Sequence, residues 1–264
     1  MFREKLGFVT RYIRFLVTSN NEHGVHSPFL FNLLTKGIYN RSNDLDFASI
    51  ETIRSNCAVD KRIIQVTDLG AGSHLDGKNS RRSISYICRT FAKSPKMCKV
   101  LYRTLQHLKP YTIIELGTSL GLSAMYLASA NERSRVISLE GCPNTADIAR
   151  ENISKSGLKN ISVITGAFDE LLPDLLEANE RVDAIYIDGN HTHEATTRYF
   201  NMMLSRMHNN SFIIFDDINW SKGMVQAWNE ITSHDKVTMS VDFFHFGMVF
   251  FNPGFSKEHF RIRI

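Results

Sequence analysis

From Tyr111 onward the sequence alternates between two textures. Short apolar runs rich in β-branched residues, TIIEL, RVISLE, ISVITG, VDAIYIDG and SFIIFDDI, are separated by amphipathic stretches such as NTADIARENISKSGL and HEATTRYFNMMLSRM. Strands that are apolar on both faces belong inside a sheet, and parallel neighbours need helix-length connections between them. The pattern predicts an α/β fold with a mostly parallel sheet covered on both sides. After the helical stretch GMVQAWNEITS, the runs KVTMSVDFF and FGMVFFNP follow too closely for a crossover. They read as a closing antiparallel hairpin, for seven strands in all.

Residues 1–110 predict helices joined by polar loops, an extension set against the 111–264 domain that would serve as lid, substrate wall or dimer surface. HSPFLFNLL and KSPKMCKVLYRTLQHL each place Ser-Pro where an N-cap and first helical residue belong. Phe2, Leu6, Val9, Ile13 and Leu16 recur at helical spacing among Arg3, Lys5, Arg11 and Arg14. That is an amphipathic helix for docking on the core, on a second copy in a homodimer, or on a membrane surface, and its charges break any signal-peptide run. No stretch approaches the roughly 20 apolar residues of a transmembrane helix. Cys57, Cys88, Cys98 and Cys142 lack metal or disulfide-framework spacing, which fits a reducing cytoplasm.

The net charge of +4 hides an asymmetry. Between Gly77 and Ile114 there is no acid, and Lys78, Arg81, Arg82, Arg89, Lys93, Lys96, Lys99, Arg103 and Lys109 give +9, leaving −5 elsewhere. Such a run reads either as a solvated helical face or as a patch for an anionic small molecule, RNA or an acidic membrane.

Two glycine-rich stretches compete as nucleotide loops. In VTDLGAGSHLDG, Asp68 precedes Gly70, Gly72 and Gly77, but no strand ending in an acid follows before Glu115. In TIIELGTSLGLSA, the loop is followed by a helical stretch and by RVISLE, ending in Glu140 about twenty residues on, where an acid grips a ribose. The second stretch satisfies the requirement; the first is left as a tight turn. Ser119 stands where a dinucleotide loop needs its middle glycine, so a cofactor without phosphates fits better than NAD.

ELGTSLGLS resembles the loop of catechol O-methyltransferase and its metal-dependent relatives, and GAFDELLPDL resembles the adenine-pocket segment of that group. The likeness spans roughly residues 111–252. It implies a Rossmann-like class I methyltransferase sheet and S-adenosylmethionine as cofactor. It places Glu115, Gly117, Thr118, Ser119, Gly121 and Ser123 around the methionine part, Glu140 and Gly141 at the ribose, and Gly166, Ala167 and Phe168 beside the adenine. Phe168 reads equally as a core aromatic heading a helix. HGVHSPF near the start adds a similarity to bacterial methyltransferases of unassigned substrate.

Asp188 ends one apolar run, and Asp216 and Asp217 end the next. Carboxylates converging at neighbouring strand ends repel one another unless a cation or shared protons intervene. The resemblance implies that Asp188, Asp216 and Asp217 hold a divalent cation, Mg²⁺ first, with Mn²⁺ or Ca²⁺ as alternatives. Asp217 replaces the family's usual Asn; without a metal, the acids would cap helices or face the cofactor, Asp188 included. His191 stands where the family has its lysine base, and reads as general base, metal ligand or helix cap. The implied reaction is in-line displacement at the sulfonium methyl by a small-molecule hydroxyl, possible acceptors including anionic ones. Trp220 reads as a pocket wall or a core residue, and His23 and His26 as parts of a turn. The competing functions are an RNA methyltransferase using the basic segment and a non-catalytic S-adenosylmethionine-binding protein.

Overall fold

The computed structural model describes residues 2–42, 44–67 and 79–264; the stretch DLGAGSHLDGK, with Asp68, Gly70, Gly72, Gly77 and Lys78, lies outside the described residues. The chain begins with α1 (Phe2–Thr18), a 3₁₀ turn (Glu22–Gly24) and α2 (Pro28–Asn32), which runs into a π-helical segment (Leu33–Ile38). Then come α3 (Ala48–Val59), β1 (Ile63–Thr67), β2 (Asn79–Ser83), α4 (Ile84–Phe91) and α5 (Pro95–Leu108). The alternating part follows: β3 (Thr112–Leu116), α6 (Leu122–Ser129), β4 (Arg135–Glu140), α7 (Pro143–Ser156), β5 (Ile161–Thr165), α8 (Phe168–Glu177), β6 (Ala184–Ile187), α9 (His193–Met203), β7 (Phe212–Asp216) and α10 (Lys222–Ser233). The chain closes with β8 (Met239–Asp242), β9 (Phe246–Phe250) and β10 (Glu258–Arg261).

The large sheet has the order β10-β8-β9-β7-β6-β3-β4-β5. Every pair is parallel except those of β9, which runs antiparallel to both β7 and β8. The expected hairpin is thus present, and an eighth strand joins the seven read from the sequence. β10 pairs with β8 alone, and its EHFR is at most half-buried, so it carries no apolar signal.

Period-two alternation sends successive residues to opposite faces. Ile113, Tyr186, Phe212 and Ile214 meet Leu30, Leu33, Leu34, Val100, Leu101 and Leu105 on one side. Ile114, Ile185, Ile187, Ile213 and Phe215 meet Leu172, Tyr199, Phe200 and Trp228 on the other. α2 with its π-helical continuation and α5 therefore form one covering layer, while α8, α9 and α10 form the second. The Ser-Pro starts behave as expected: Ser27 Oγ accepts from the Leu30 N–H at 3.3 Å and Ser94 Oγ from the Met97 N–H at 3.4 Å.

Residues 1–110 are not wholly helical. β1 and β2 pair antiparallel, Ile63 opposite Ser83 through Thr67 opposite Asn79. NSRRS has no apolar alternation of its own, so backbone pairing with β1 rather than side-chain pattern makes it a strand. The hairpin rests against α7, where Asn144 Nδ2 donates to the Gln65 carbonyl at 2.8 Å. α1 docks through Tyr12 and Phe15, whose rings lie 4.8 and 5.4 Å from Phe244, and leaves Leu6, Val9, Ile13 and Val17 exposed. All four cysteines are free and buried. Among the described residues, no helix is long and apolar enough to cross a membrane.

Candidate active site

The carboxyl ends of β3, β4, β6 and β7 converge, as open α/β sheets require of a ligand site. After β3 the chain turns at Gly117, with φ of +106°. A Cβ there would stand 2.2 Å from the carbonyl oxygen of Asp188, so only glycine lets β3 and β6 end this close together. The N–H groups of Gly117 and Thr118 both donate to the Leu139 carbonyl, at 3.0 and 3.1 Å. Ser119 is itself left-handed, with φ of +48°, and Gly121, at +78°, leads into α6.

Glu140 closes this turn. Its Oε2 accepts from the Ser119 N–H at 2.8 Å and its Oε1 from the Cys142 N–H at 3.0 Å. The loop and the acid that the sequence pairs across twenty residues are thus one hydrogen-bonded unit. Below them Glu115 is fully buried, and its Oε2 accepts from the Ser138 hydroxyl, which also bonds Thr118. Burial pushes the Glu115 carboxyl up to about 8, against the opposing hydrogen bonds of Ser123 and Ser138. Among the described residues its Oε1 has no hydrogen-bond partner. A buried acceptor left open beside the loop fits the cationic amino end of a methionine moiety.

At the neighbouring strand, the Gly166 N–H donates to the Glu140 carbonyl at 2.9 Å, and Ala167 leads into α8. The half-buried ring of Phe168 lies 6.0 Å from that of Tyr199, edge to face, and a Cβ on Gly189 would come within 2.9 Å of it. Phe168 consequently packs on the core and borders the site at once. Gly141, beside Glu140, is half-buried.

The second half of the site gathers around Asp188 and Asp216. Tyr186, two residues before Asp188 on the same face of β6, donates its hydroxyl to Asp188 Oδ2 at 2.9 Å and to Asp216 Oδ2 at 3.3 Å. The Lys93 ammonium bonds Asp216 Oδ2 and lies 3.8 Å from Asp188 Oδ2. Burial alone would raise the Asp188 carboxyl, but Lys93, His191 and Tyr186 together hold it below the ordinary range. His191 Nε2 sits 3.5 Å from Asp188 Oδ1 and 4.0 Å from Asp217 Oδ2, and its buried Nδ1 has no hydrogen-bond partner among the described residues. Burial pulls the imidazole down; the hydrogen bond and charge of Asp188, with Asp217, outweigh it and lift His191 above its usual value. Asp217, with φ of +53°, donates its N–H to the His245 carbonyl at 2.7 Å.

These residues do not fit a divalent cation. Among the described residues no three or more His, Cys, Asp or Glu side chains are arranged to share a metal. The space between Asp188 and Asp216 is taken by an ammonium and a phenol. Sequence reading missed Lys93 and Tyr186. Tyr186 was findable, because its i, i+2 relation to Asp188 puts both on one face; Lys93 belongs to a distant segment and carries no local signal.

The cap of α9 is Thr192, whose Oγ1 accepts from the Ala195 N–H at 3.2 Å, so neither His191 nor His193 has that task. His193 instead meets Glu230 at 2.8 Å. Trp220 is 60% exposed, its ring 6.2 Å from Phe8, and is no core residue. His23, in the turn after α1, is exposed, and His26 precedes the Ser27 cap. Three residues of the basic run are turned inward. Lys93 enters the acid cluster, Arg103 pairs with Asp44 while bonding the Ile38 carbonyl, and buried Arg82 stacks over Phe91.

Comparison with known proteins is concordant with this geometry. Residues 114–218 match a family described as a methyltransferase domain. Over 120 residues the chain is 33% identical to the O-methyltransferase imqG of Aspergillus flavus, covering 43% of this chain and 47% of that protein. It is 32% identical over 128 residues to a catechol O-methyltransferase of Niastella koreensis, covering 47% and 57%. The chain therefore spans about half the length of the curated relatives it matches. In fold it resembles an O-methyltransferase from Bacillus cereus in complex with SAH, with a TM-score of 0.53, 24% identity and coverage of 61% and 83%. It also resembles cofactor-bound Rv0187 from MTB, with a TM-score of 0.57, 17% identity and coverage of 84% and 94%. Residues 114–218 thus match a methyltransferase domain, and over about half of its length the chain is similar to a catechol O-methyltransferase.

Proposed function

We propose that this chain transfers the methyl group of S-adenosylmethionine to a hydroxyl oxygen of a small molecule. The observation that carries the reading is the juxtaposition at Gly117, where the loop that would hold the donor touches the backbone of Asp188, the residue that orients His191. Glu115, Gly117, Thr118, Ser119, Gly121 and Ser123 would surround the methionine part, with the open Oε1 of Glu115 as the acceptor for its amino group. Glu140 and Gly141 would serve the ribose, and Gly166, Ala167 and Phe168 the adenine. When bound, S-adenosylmethionine supplies a methyl group on a positively charged sulfur.

His191 takes the proton of the acceptor hydroxyl. Asp188 faces Nε2 and fixes the ring, while Nδ1, without a hydrogen-bond partner among the described residues, is the nitrogen left to accept. A divalent cation at Asp188, Asp216 and Asp217 has no part in this reading, because Lys93 and Tyr186 already satisfy the inner two acids. Lys93, Arg103 and Arg82 are engaged within the protein, which reduces the basic surface that an RNA substrate would meet.

The test is a pair of measurements on the purified chain. Titration calorimetry with S-adenosylhomocysteine should show binding that Glu140→Ala weakens, and incubation with labelled S-adenosylmethionine and a panel of phenols and alcohols should yield a labelled ether. Binding without transfer to any hydroxyl, together with transfer to RNA, would overturn the reading.

A further inference from the structure

Asp188 Oδ2 and Asp216 Oδ2 point at one spot from neighbouring strands. Both accept from the Tyr186 hydroxyl, and both face the Lys93 ammonium, which bonds one and stands 3.8 Å from the other. Asp216 is almost wholly enclosed, its side chain 2% exposed, and Asp188 is 17% exposed. Two carboxylates so placed repel one another unless a cation or a shared proton intervenes, and here an ammonium stands between them. We propose that Lys93 is that resident cation: it occupies the place a divalent metal would take, so the site works without one.

The lysine is held there by its own backbone. Lys93 lies in the short connector between α4 and α5, just before the Ser94 cap. Its carbonyl accepts from Arg54 Nη1 at 2.7 Å, and Arg54 is clamped in turn by both carboxylate oxygens of Glu51 at 3.1 Å. The Cys98 thiol donates to the same carbonyl at 3.6 Å. The connector is therefore anchored independently of the acids, and the side chain reaches them from a fixed point.

A metal at this spot would meet two obstacles. Mg²⁺ demands an octahedral oxygen set at roughly 2.0–2.1 Å, whereas the two inward oxygens are already committed to Tyr186 and Lys93. A divalent ion beside the ammonium would add like-charge repulsion in a poorly solvated place. The ammonium also does something a closed metal cage does not. It has three donors and one is spent on Asp216, so another is available to a hydroxyl oxygen as His191 removes its proton. The O–H bond breaks toward the imidazole, and the negative charge that develops on oxygen is held by Lys93.

This inference rests on the methyl-transfer reading but is tested separately from it. Mn²⁺ binding, followed by electron paramagnetic resonance on the full chain, reports on Lys93 whether or not an acceptor is known. Wild type should bind no Mn²⁺ at this site; Lys93→Met should bind it, and Lys93→Met/Asp216→Asn should lose it again. S-adenosylhomocysteine affinity, a check on the donor reading and on folding, should stay within about threefold in Lys93→Met, because Lys93 touches none of the donor-side residues. With an acceptor in hand, wild-type turnover should be unchanged by EDTA, and Lys93→Met should lose at least about 100-fold, as for removal of one transition-state donor. Tight Mn²⁺ binding by wild type that Asp216→Asn abolishes, or loss of wild-type turnover in EDTA with recovery on adding Mg²⁺, would overturn the proposal. If Lys93→Met does not fold, Lys93→Arg keeps the charge: it should still exclude Mn²⁺, and binding there would count equally against the proposal.

Discussion

The loop at 117–121 and the acid cluster around Asp188 lie side by side at the carboxyl end of the sheet, yet they are put together differently. The loop side comes from one continuous stretch: β3, its turn, α6 and β4 bring Glu115 and Glu140 to the loop through contacts between residues about twenty apart. The acid cluster is drawn from distant places. Lys93 arrives from the α4–α5 connector, Tyr186 and Asp188 from β6 and its end, and Asp216 from β7. A cofactor common to many enzymes can be served by a local motif, whereas a particular acceptor needs walls that each chain recruits for itself.

That contrast is open to direct attack. The largest effect should come from the point where the halves touch: Gly117→Ala places a Cβ against the Asp188 carbonyl in a left-handed turn. It should cost at least about 3 kcal/mol of stability and abolish S-adenosylhomocysteine binding, read by thermal melts and calorimetry. If binding survives, the two sides are less tightly joined than their spacing indicates. His191→Ala should separate them instead, lowering kcat by about 100- to 10,000-fold while leaving cofactor affinity near wild type. Equal loss of both would sink the base assignment.

Glu115 gives the loop side a pH signature. Its carboxyl rises from 4.5 to about 8 on folding, so the folded state retains a proton that the unfolded chain releases. Its contribution is complete below 4.5 and is lost as pH climbs through 8, with a slope of up to about 1.4 kcal/mol per pH unit. Urea titrations of the cofactor-free chain should show this decline, and Glu115→Gln should flatten it; an unchanged slope in the variant would assign the decline elsewhere. Glu140→Ala should weaken cofactor binding by roughly 10- to 100-fold, the loss of one or two charge-assisted hydrogen bonds. Trp220→Ala, at an exposed residue, should change stability by less than about 0.5 kcal/mol. A shift in acceptor KM without a shift in cofactor affinity would identify Trp220 as a wall of the acceptor pocket.

What was legible in the sequence follows the same division. The runs ending at Leu116, Glu140, Asp188 and Asp217 show the sheet because buried parallel strands are mostly apolar on both faces. The choice of TIIELGTSLG over VTDLGAGS rested on the acid-ended strand that follows, and Glu140 is indeed hydrogen-bonded to Ser119. β2 and β10 were invisible because NSRRS and EHFR are strands by backbone pairing, with little apolar burial to pattern them. Lys93 escaped for a related reason: nine basic residues scattered through one acid-free segment look alike until the fold turns some of them inward.

The far edge of the sheet also carries a lesson about timing. Asn20, just after α1, donates its N–H to the Arg261 carbonyl at 2.8 Å and accepts from the Arg263 N–H at 3.0 Å, while Tyr39 donates its hydroxyl to the Arg263 carbonyl at 2.8 Å. The first helix is thus clasped by the last strand and seated on Phe244. Because α1 precedes Phe244 and Arg261 in the chain, it is synthesised before its seat and its clasp, and its apolar stripe stays uncovered until both have followed.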